Sequence, residues 1–344
     1  MALLFGGEGC EHEVSVRGAI DTEAALIKAG VSVFPIFIKK DGGWYSARNK
    51  RASVSELSGG RILLEPTFPI RLGKRRGFFC RGRLISVGAV IPLLHGDFGE
   101  DGRIQGLLDT AGIPYIGCGT VAGAISQDKA YTKLVAASLG VPTVKGVTVN
   151  AHSDESALAD AEKLLGYPMF VKPARLGSSV GAGIARCPSE LSRLVKDALT
   201  LGSGFAMIEE YIEGARELEC AFFEINGKQY FTNVGEIRCK SGFYDYDNKY
   251  SEDSIADIIT DARLDEATRA ALVGYSKDIT AALGCRDLAR LDFFLSREGK
   301  LYFNEINTMP GMTDVSMFPR LTEASGYPIG RLLSLLAEGA AGRA

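Results

Sequence analysis

Apolar and polar positions alternate along this chain in blocks that predict an α/β protein. Residues 2–5 read as a buried strand that begins with almost no lead-in, which raises the expectation of a clipped start. A glycine-rich turn follows, and then Val16, Ala19, Ile20, Ala24 and Ile27 recur at helical spacing along one face. Gly30 supplies a left-handed stop before a strand over 31–38. A strand around 89–94, a helix around 104–111 and a strand over 113–116 continue this β-α-β opening as an open α/β sheet, which places a first domain at 1–117.

A helix over 128–139 ends at Gly140, and Val141-Pro142 opens a segment leading to a strand over 168–172 and a glycine-serine loop. A middle domain then spans 118–212 and a third 213–344. In the third, strands are expected around 217–225 and 229–234, followed by a polar loop through Tyr250. A helix comes next, on which Leu272, Tyr275, Ile279 and Leu283 share a face and which Gly284 caps. No internal repeat or low-complexity tract interrupts the pattern.

Composition narrows the function. At 344 residues the chain exceeds one compact core, so domains sharing a cleft are expected. A net charge of −3, from 39 basic against 42 acidic residues, offers no field for a nucleic-acid backbone. Seven scattered cysteines without a CxxC pair read as reduced thiols. No run approaches the roughly 18 apolar residues a membrane span needs, and the N-terminus lacks a signal-peptide pattern, so a cytoplasmic enzyme is expected.

The strongest chemical signal is the pair of strand-like runs 289–294 and 301–307, joined by a turn at 296–300. If Ser296 pairs with Leu301, antiparallel counting sets Asp292 opposite Glu305 and Arg290 opposite Asn307 on one face. Directly opposed carboxylates repel unless a cation sits between them. Two carboxylates and an amide oxygen are hard ligands, suited to magnesium bridging substrate phosphates. The alternative, a solvent-facing polar stripe, is disfavoured by the apolar flanks.

Lys172 ends an apolar strand and meets the loop Gly177-Ser178-Ser179-Val180-Gly181-Ala182-Gly183, whose backbone N–H groups and hydroxyls can cradle phosphate while the lysine neutralises charge. The loop lacks the GxxxxGK[ST] pattern, and a plain hairpin turn with an exposed lysine reads the composition equally well. Glu209 and Glu210 edge another apolar run, ahead of Ile212 and Glu217; such an edge could read adenine and ribose, though composition alone favours solvated acids. From Gly7 onward His12 replaces the third glycine of GxGxxG, so the dinucleotide fingerprint fails. The three histidines form no metal set; His152 reads as exposed, whereas His95 ends a strand where open α/β sheets place ligands.

Several stretches together resemble the D-alanine–D-alanine ligase family over nearly the whole chain. They are Phe5-Gly6-Gly7 with Glu11-His12-Glu13-Val14-Ser15, His95-Gly96 with Gly99-Glu100-Asp101-Gly102, Val171-Lys172-Pro173 with Gly177-Ser178-Ser179-Val180-Gly181, Tyr244-Asp245-Tyr246 with Lys249-Tyr250, and Asn304-Glu305-Ile306-Asn307-Thr308 with Pro310-Gly311. The resemblance implies an α/β, three-domain ATP-grasp architecture with an N-terminal Rossmann-like domain. It implies that Lys129, Lys172 and Ser179 bind ATP phosphates, that Glu209, Glu210 and Ile212 face adenine, and that Glu217 meets the ribose. Asp292, Glu305 and Asn307 would hold two magnesium ions, or manganese.

By the same resemblance Glu11 would anchor the first D-alanine's ammonium group, with Ser178 and Tyr250 as its partners in closing a mobile loop. Lys249 and Ser316 would receive the second D-alanine's carboxylate, and Arg290 with the Gly311 backbone would stabilise the oxyanion. A homodimer is implied. One departure is Thr313-Asp314-Val315-Ser316-Met317, where the family commonly carries Thr-Ser-His-Ser; Asp314 puts a negative charge near the acceptor carboxylate.

Overall fold

The structure, a computed structural model, describes residues 1–48, 51–60, 62–153, 156–239 and 256–343. It is built on three sheets. The first sheet contains β1 (Ala2–Gly6), β2 (Phe34–Ile38), β3 (Trp44–Ala47), β4 (Leu64–Leu72), β5 (Arg75–Cys80), β6 (Arg83–Ile85) and β7 (Val90–Pro92), in the order β6-β5-β4-β3-β2-β1-β7. Only β1, β2 and β7 run parallel. The rest is an antiparallel meander over residues 44–85, which the sequence reading leaves without elements. Pro66, Pro69 and the arginines at 71, 75 and 76 obscure its alternation. Its turns are nevertheless encoded: Arg81 and Gly82, at φ 54° and 68°, make a two-residue hairpin loop of the kind that matches strand twist.

Helix α1 (His12–Lys28) follows the expected glycine turn, but its buried face differs from the expected one. Val14, Ser15, Gly18, Ala19, Thr22, Glu23 and Leu26 are buried, whereas Ile20 and Ile27 are 39% and 61% exposed. The reason is close packing on two sides. A Cβ on Gly18 would sit 3.6 Å from Leu93, and Glu23 accepts the Val54 N–H at 2.9 Å. Small and satisfied polar residues therefore make the interface, and apolar periodicity misleads. The strand after α1 starts at Phe34 rather than Val31, because Gly30 and Val31 close the helix onto Ile27 and Leu26. Residues 113–116 form a single bridge beside β7, Val90 to Tyr115, in place of the expected strand.

α2 (Val54–Ser58), α3 (Arg103–Ala111) and α4 (Thr120–Gln127) lead to α5 (Lys129–Ser138), for which Asp128 supplies the N-cap. The second sheet has the order β10-β9-β11-β8, from β8 (Gly146–Asn150), β9 (Met169–Pro173), β10 (Gly183–Ala185) and β11 (Phe205–Glu210). α6 (Ser156–Leu165) and α7 (Pro188–Leu201) belong to this unit, and Leu191, Val195 and Ala198 of α7 share its core with Val171 and Ile208.

The third sheet, β14-β13-β12-β15-β16, is antiparallel: β12 (Arg216–Ile225), β13 (Lys228–Cys239), β14 (Ala256–Ile259), β15 (Leu288–Leu295) and β16 (Leu301–Asn307). α8 (Glu266–Leu283) buries Leu272, Ile279 and Leu283 in the core with Phe222 and Val234, and Gly284 at φ 66° caps it as expected. α9 (Met317–Ala324) and α10 (Ile329–Gly342) join Phe223 and the α1 side of the first sheet in one continuous core. Among the described residues no helix is long and apolar enough to cross a membrane, and the six described cysteines are free thiols.

Candidate functional site

The β15–β16 pair places Asp292 opposite Glu305 and Arg290 opposite Asn307, the register expected from the sequence. It does so by a different route. At the turn Leu295, not Ser296, pairs with Leu301, and a bulge after Asp292 leaves Asn304 without an opposite residue. The extra residue restores the count at the carboxylates and lets Asn304 and Glu305, neighbours in sequence, line the same cavity.

The carboxylates are embedded among cations. Arg290 holds Asp292 through Nε at 2.8 Å and Nη2 at 2.7 Å and lies 2.8 Å from Glu219. Asn307 donates to Asp292 at 3.1 Å. Lys129 pairs with Glu305 at 3.1 Å and donates to the Leu176 carbonyl at 2.6 Å. Lys172 reaches Glu209 at 2.9 Å and the Asn304 amide oxygen at 3.0 Å, and Lys133 makes a further ion pair with Glu209. Four acids, Glu209, Glu219, Asp292 and Glu305, thus interleave with Lys129, Lys133, Lys172 and Arg290. Burial alone would raise the Glu209 carboxyl, but Lys133 and Lys172 outweigh it and bring it to about 2. Burial works against the Arg290 charge, yet Asp292 and Glu219 hold its pKa well above the ordinary value.

Two cavities meet at this cluster. One of about 100 Å³ is lined by Lys172, Ser179, Glu217, Asp292 and Asn304. The other, of about 380 Å³, is lined by Glu11, His95, Asn307, Gly311, Ser316 and Met317. Lys129, Gly177, Ser178, Glu219, Arg290 and Glu305 line both. A group bound in the first chamber can therefore meet one bound in the second at Lys129 and Arg290.

In the larger chamber Glu11, at the N-cap of α1, is 7% exposed and accepts a hydrogen bond from the Ser178 hydroxyl. His95 donates from Nδ1 to the Met309 carbonyl at 3.1 Å, and its buried Nε2 has no hydrogen-bond partner among the described residues. Burial lowers its pKa, against the opposing charge of Glu11. Glu100 accepts the Gly96 and Met309 N–H groups at 2.9 and 3.2 Å, while burial and Glu11 push its carboxyl up to about 8. Ser316 bonds Thr313 within the turn that opens α9. The far wall, Val14, Ile237, Ile258, Val315 and Met317, is apolar. Asp314, whose sequence position raised the question of charge repulsion, is exposed and outside the cavity wall, its backbone tied to Asp21 and Arg320.

Of the residues singled out in the sequence, Glu209 is not a solvated edge acid: it is 2% exposed between two lysines. Glu210 is exposed at the end of β11, Ile212 follows it half-buried, and Glu217 lines the smaller chamber. His152 is exposed, as expected. Lys249 and Tyr250 lie outside the described residues. Sequence reasoning missed Lys133, Glu219 and Asn304. Only Glu219 left a signal, since Glu217 and Glu219 alternate on one face of an otherwise apolar strand. Among the described residues no group of three or more His, Cys, Asp or Glu side chains could hold a metal unaided. Asp292, Glu305 and Asn307 fit a hard cation that takes its remaining oxygens from phosphate and water.

Residues 1–118 match the family model for the D-ala D-ala ligase N-terminus and residues 135–338 that for its C-terminus. The chain belongs to the D-alanine–D-alanine ligase family. Family relatives include the D-alanine–D-alanine ligase of Chlorobium limicola, 38% identical over 98% of this chain and 95% of that protein. That of Treponema pallidum is 35% identical over 100% of this chain and 89% of its own. Among solved structures, D-alanyl-alanine synthetase A of Vibrio cholerae superposes with a TM-score of 0.85 at 31% identity, covering 99% of this chain and 98% of that one. A D-Ala:D-Ser ligase of Enterococcus faecalis gives 0.85 at 32% identity, with the same coverage. The ATP-grasp fold expected from the sequence is thereby borne out.

Proposed function

We infer that this chain joins two D-alanine molecules into D-alanyl-D-alanine at the expense of ATP, through a D-alanyl phosphate, for peptidoglycan synthesis. The observation that carries this reading is the meeting of two chambers at one charged wall of Lys129, Glu219, Arg290 and Glu305. The ATP phosphates take the smaller chamber, where Lys129, Lys172 and Ser179 hold their oxygens and Glu217 meets the ribose, while Glu210 and Ile212, outside its wall, border adenine. Glu209, saturated by Lys133 and Lys172, acts by fixing those lysines and the strand beside adenine. Asp292, Glu305 and Asn307 would hold two magnesium ions, or manganese, which neutralise phosphate charge.

The first D-alanine lies in the larger chamber with its ammonium group on Glu11, which Ser178 and Tyr250 orient. Its carboxylate attacks the γ-phosphorus of ATP and ADP leaves. The second D-alanine binds through its carboxylate at Ser316 and Lys249, and its amine attacks the acyl carbon. Arg290 and the Gly311 N–H stabilise the tetrahedral oxyanion, and phosphate departs with the oxygen that came from the first carboxylate.

The apolar wall of Ile237, Ile258, Val315 and Met317 suits a methyl side chain better than the hydroxymethyl of D-serine. Lys249-Tyr250 speaks against D-lactate. A nucleotide-binding sensor without activity would not need both chambers. We also assign domains to 1–117, 118–212 and 213–344, a homodimer, and a cytoplasmic location. ADP release measured with D-alanine, D-serine or D-lactate as acceptor tests the reading; release dependent on D-alanine alone is expected, and a preference for either rival would overturn the acceptor assignment.

A further inference from the structure

The junction between α4 and α5 grips the chain at three consecutive residues just before the glycine-serine loop. The Lys129 N–H donates to the Ala174 carbonyl at 3.0 Å, the Gln127 side-chain amide to the Arg175 carbonyl at 3.0 Å, and the Lys129 ammonium to the Leu176 carbonyl at 2.6 Å. The Arg175 side chain is fixed as well, with Nε 2.7 Å from Asp128 and the guanidinium 4.2 Å from the centre of the Phe205 ring. Asp128 is itself held, because its other oxygen caps α5 by accepting the Ala130 and Tyr131 N–H groups.

Immediately beyond this grip, Ser178 and Ser179 have φ of 52° and 58°. Two successive non-glycine residues in the left-handed region are costly and persist only where the surroundings over-determine them. Downstream, short turns close the loop, from the Val180 N–H to Gly177 and from the Ala182 N–H to Ser179, each at 3.2 Å. Upstream, among the described residues, the stem takes a side-chain amide from Gln127, a residue that lines the larger chamber and not the smaller one.

We propose that Gln127, together with Asp128 acting through Arg175, is a positioning residue for the nucleotide: the grip on 174–176 holds Ser178 and Ser179 in the left-handed backbone that places them in the cleft wall. This rests on the assignment of the loop to ATP phosphates. Lys129 belongs to the same device, so one residue ties the loop stem to Glu305 on β16. Loop geometry and the carboxylate hairpin are thereby set against each other before any substrate arrives.

The test uses Gln127→Met, which keeps side-chain length without the amide, and reads two quantities. One is hydrogen exchange of residues 175–181 in the ATP-free protein; the other is KM for ATP at saturating D-alanine. Expected are faster exchange confined to that stretch and a KM for ATP raised about three- to tenfold, as loss of one hydrogen bond implies. Arg175→Met should act in the same direction, and the double variant should fall short of additivity, since both act through one stem. Unchanged exchange would overturn the grip. Faster exchange with unchanged KM for ATP would instead show that the loop does not serve nucleotide, removing the underlying assignment. A lowered melting temperature with exchange and KM both unchanged would leave Gln127 a scaffold residue and overturn the proposal.

Discussion

Asp292 lies directly opposite Glu305 in the β15–β16 pair, and each carboxylate carries its own cation, Arg290 for one and Lys129 for the other. Those cations offset a repulsion that the register would otherwise impose. Glu305→Gln keeps the shape and removes the charge. Turnover should fall at least about a hundredfold, on the scale of losing one transition-state charge contact, with the melting temperature close to wild type. Near-normal activity of this variant at low magnesium would remove Glu305 from the metal set.

Lys172 touches both Glu209 and the bulged Asn304, so Lys172→Ala should act on nucleotide and on the cluster at once. Calorimetric titration with a non-hydrolysable ATP analogue should show affinity lowered by about tenfold or more, equivalent to about 1.4 kcal/mol. Unchanged affinity would take Lys172 out of the site.

Ser178 combines a hydrogen bond to Glu11 with a left-handed backbone, and two substitutions separate these. Ser178→Gly tolerates the backbone and loses the hydroxyl; Ser178→Ala loses the hydroxyl and keeps the strain. Both should raise KM for the first D-alanine by about two- to tenfold, from one lost hydrogen bond. A change in Ala alone would place the effect in the backbone.

Glu100 sets a pH dependence. Its folded-state pKa is raised to about 8 from 4.5 by burial and Glu11, so the folded protein binds more protons than the unfolded chain between those values. The stability from this group is full below 4.5 and is lost as pH rises through 8, with a slope of at most about 1.4 kcal/mol per pH unit. Glu209 has the opposite sign: held at about 2, it contributes above its unfolded value and loses that contribution as pH falls toward 2. Glu100→Gln mimics the neutral acid, and its melting temperature should fall less than that of wild type between pH 5 and 8. Parallel curves for the two proteins would refute a protonated Glu100.

Several features of the site were legible because they depend on strand periodicity and on few residue types. Counting back from the turn set Asp292 against Glu305 correctly, although the count erred by one at Ser296 and the bulge at Asn304 cancelled the error. The Gly284 cap and the α8 face followed from spacing alone. The α1 face did not, since Gly18, Ser15 and Glu23 are buried for close approach and hydrogen bonding rather than for apolarity. Nor did the 44–85 meander, where prolines and arginines mask the alternation. The burial of Glu209 was hidden as well, because its partners Lys133 and Lys172 come from other elements that only the folded chain brings together.

The most direct measurement follows an oxygen atom. With D-alanine labelled with oxygen-18 in its carboxylate, ATP and magnesium, carboxylate attack on the γ-phosphorus followed by amine displacement transfers one labelled oxygen to phosphate for each dipeptide formed. Mass analysis of the released phosphate should show one label per molecule, in step with D-alanyl-D-alanine. Unlabelled phosphate accompanying dipeptide, or ADP release without dipeptide, would contradict the account.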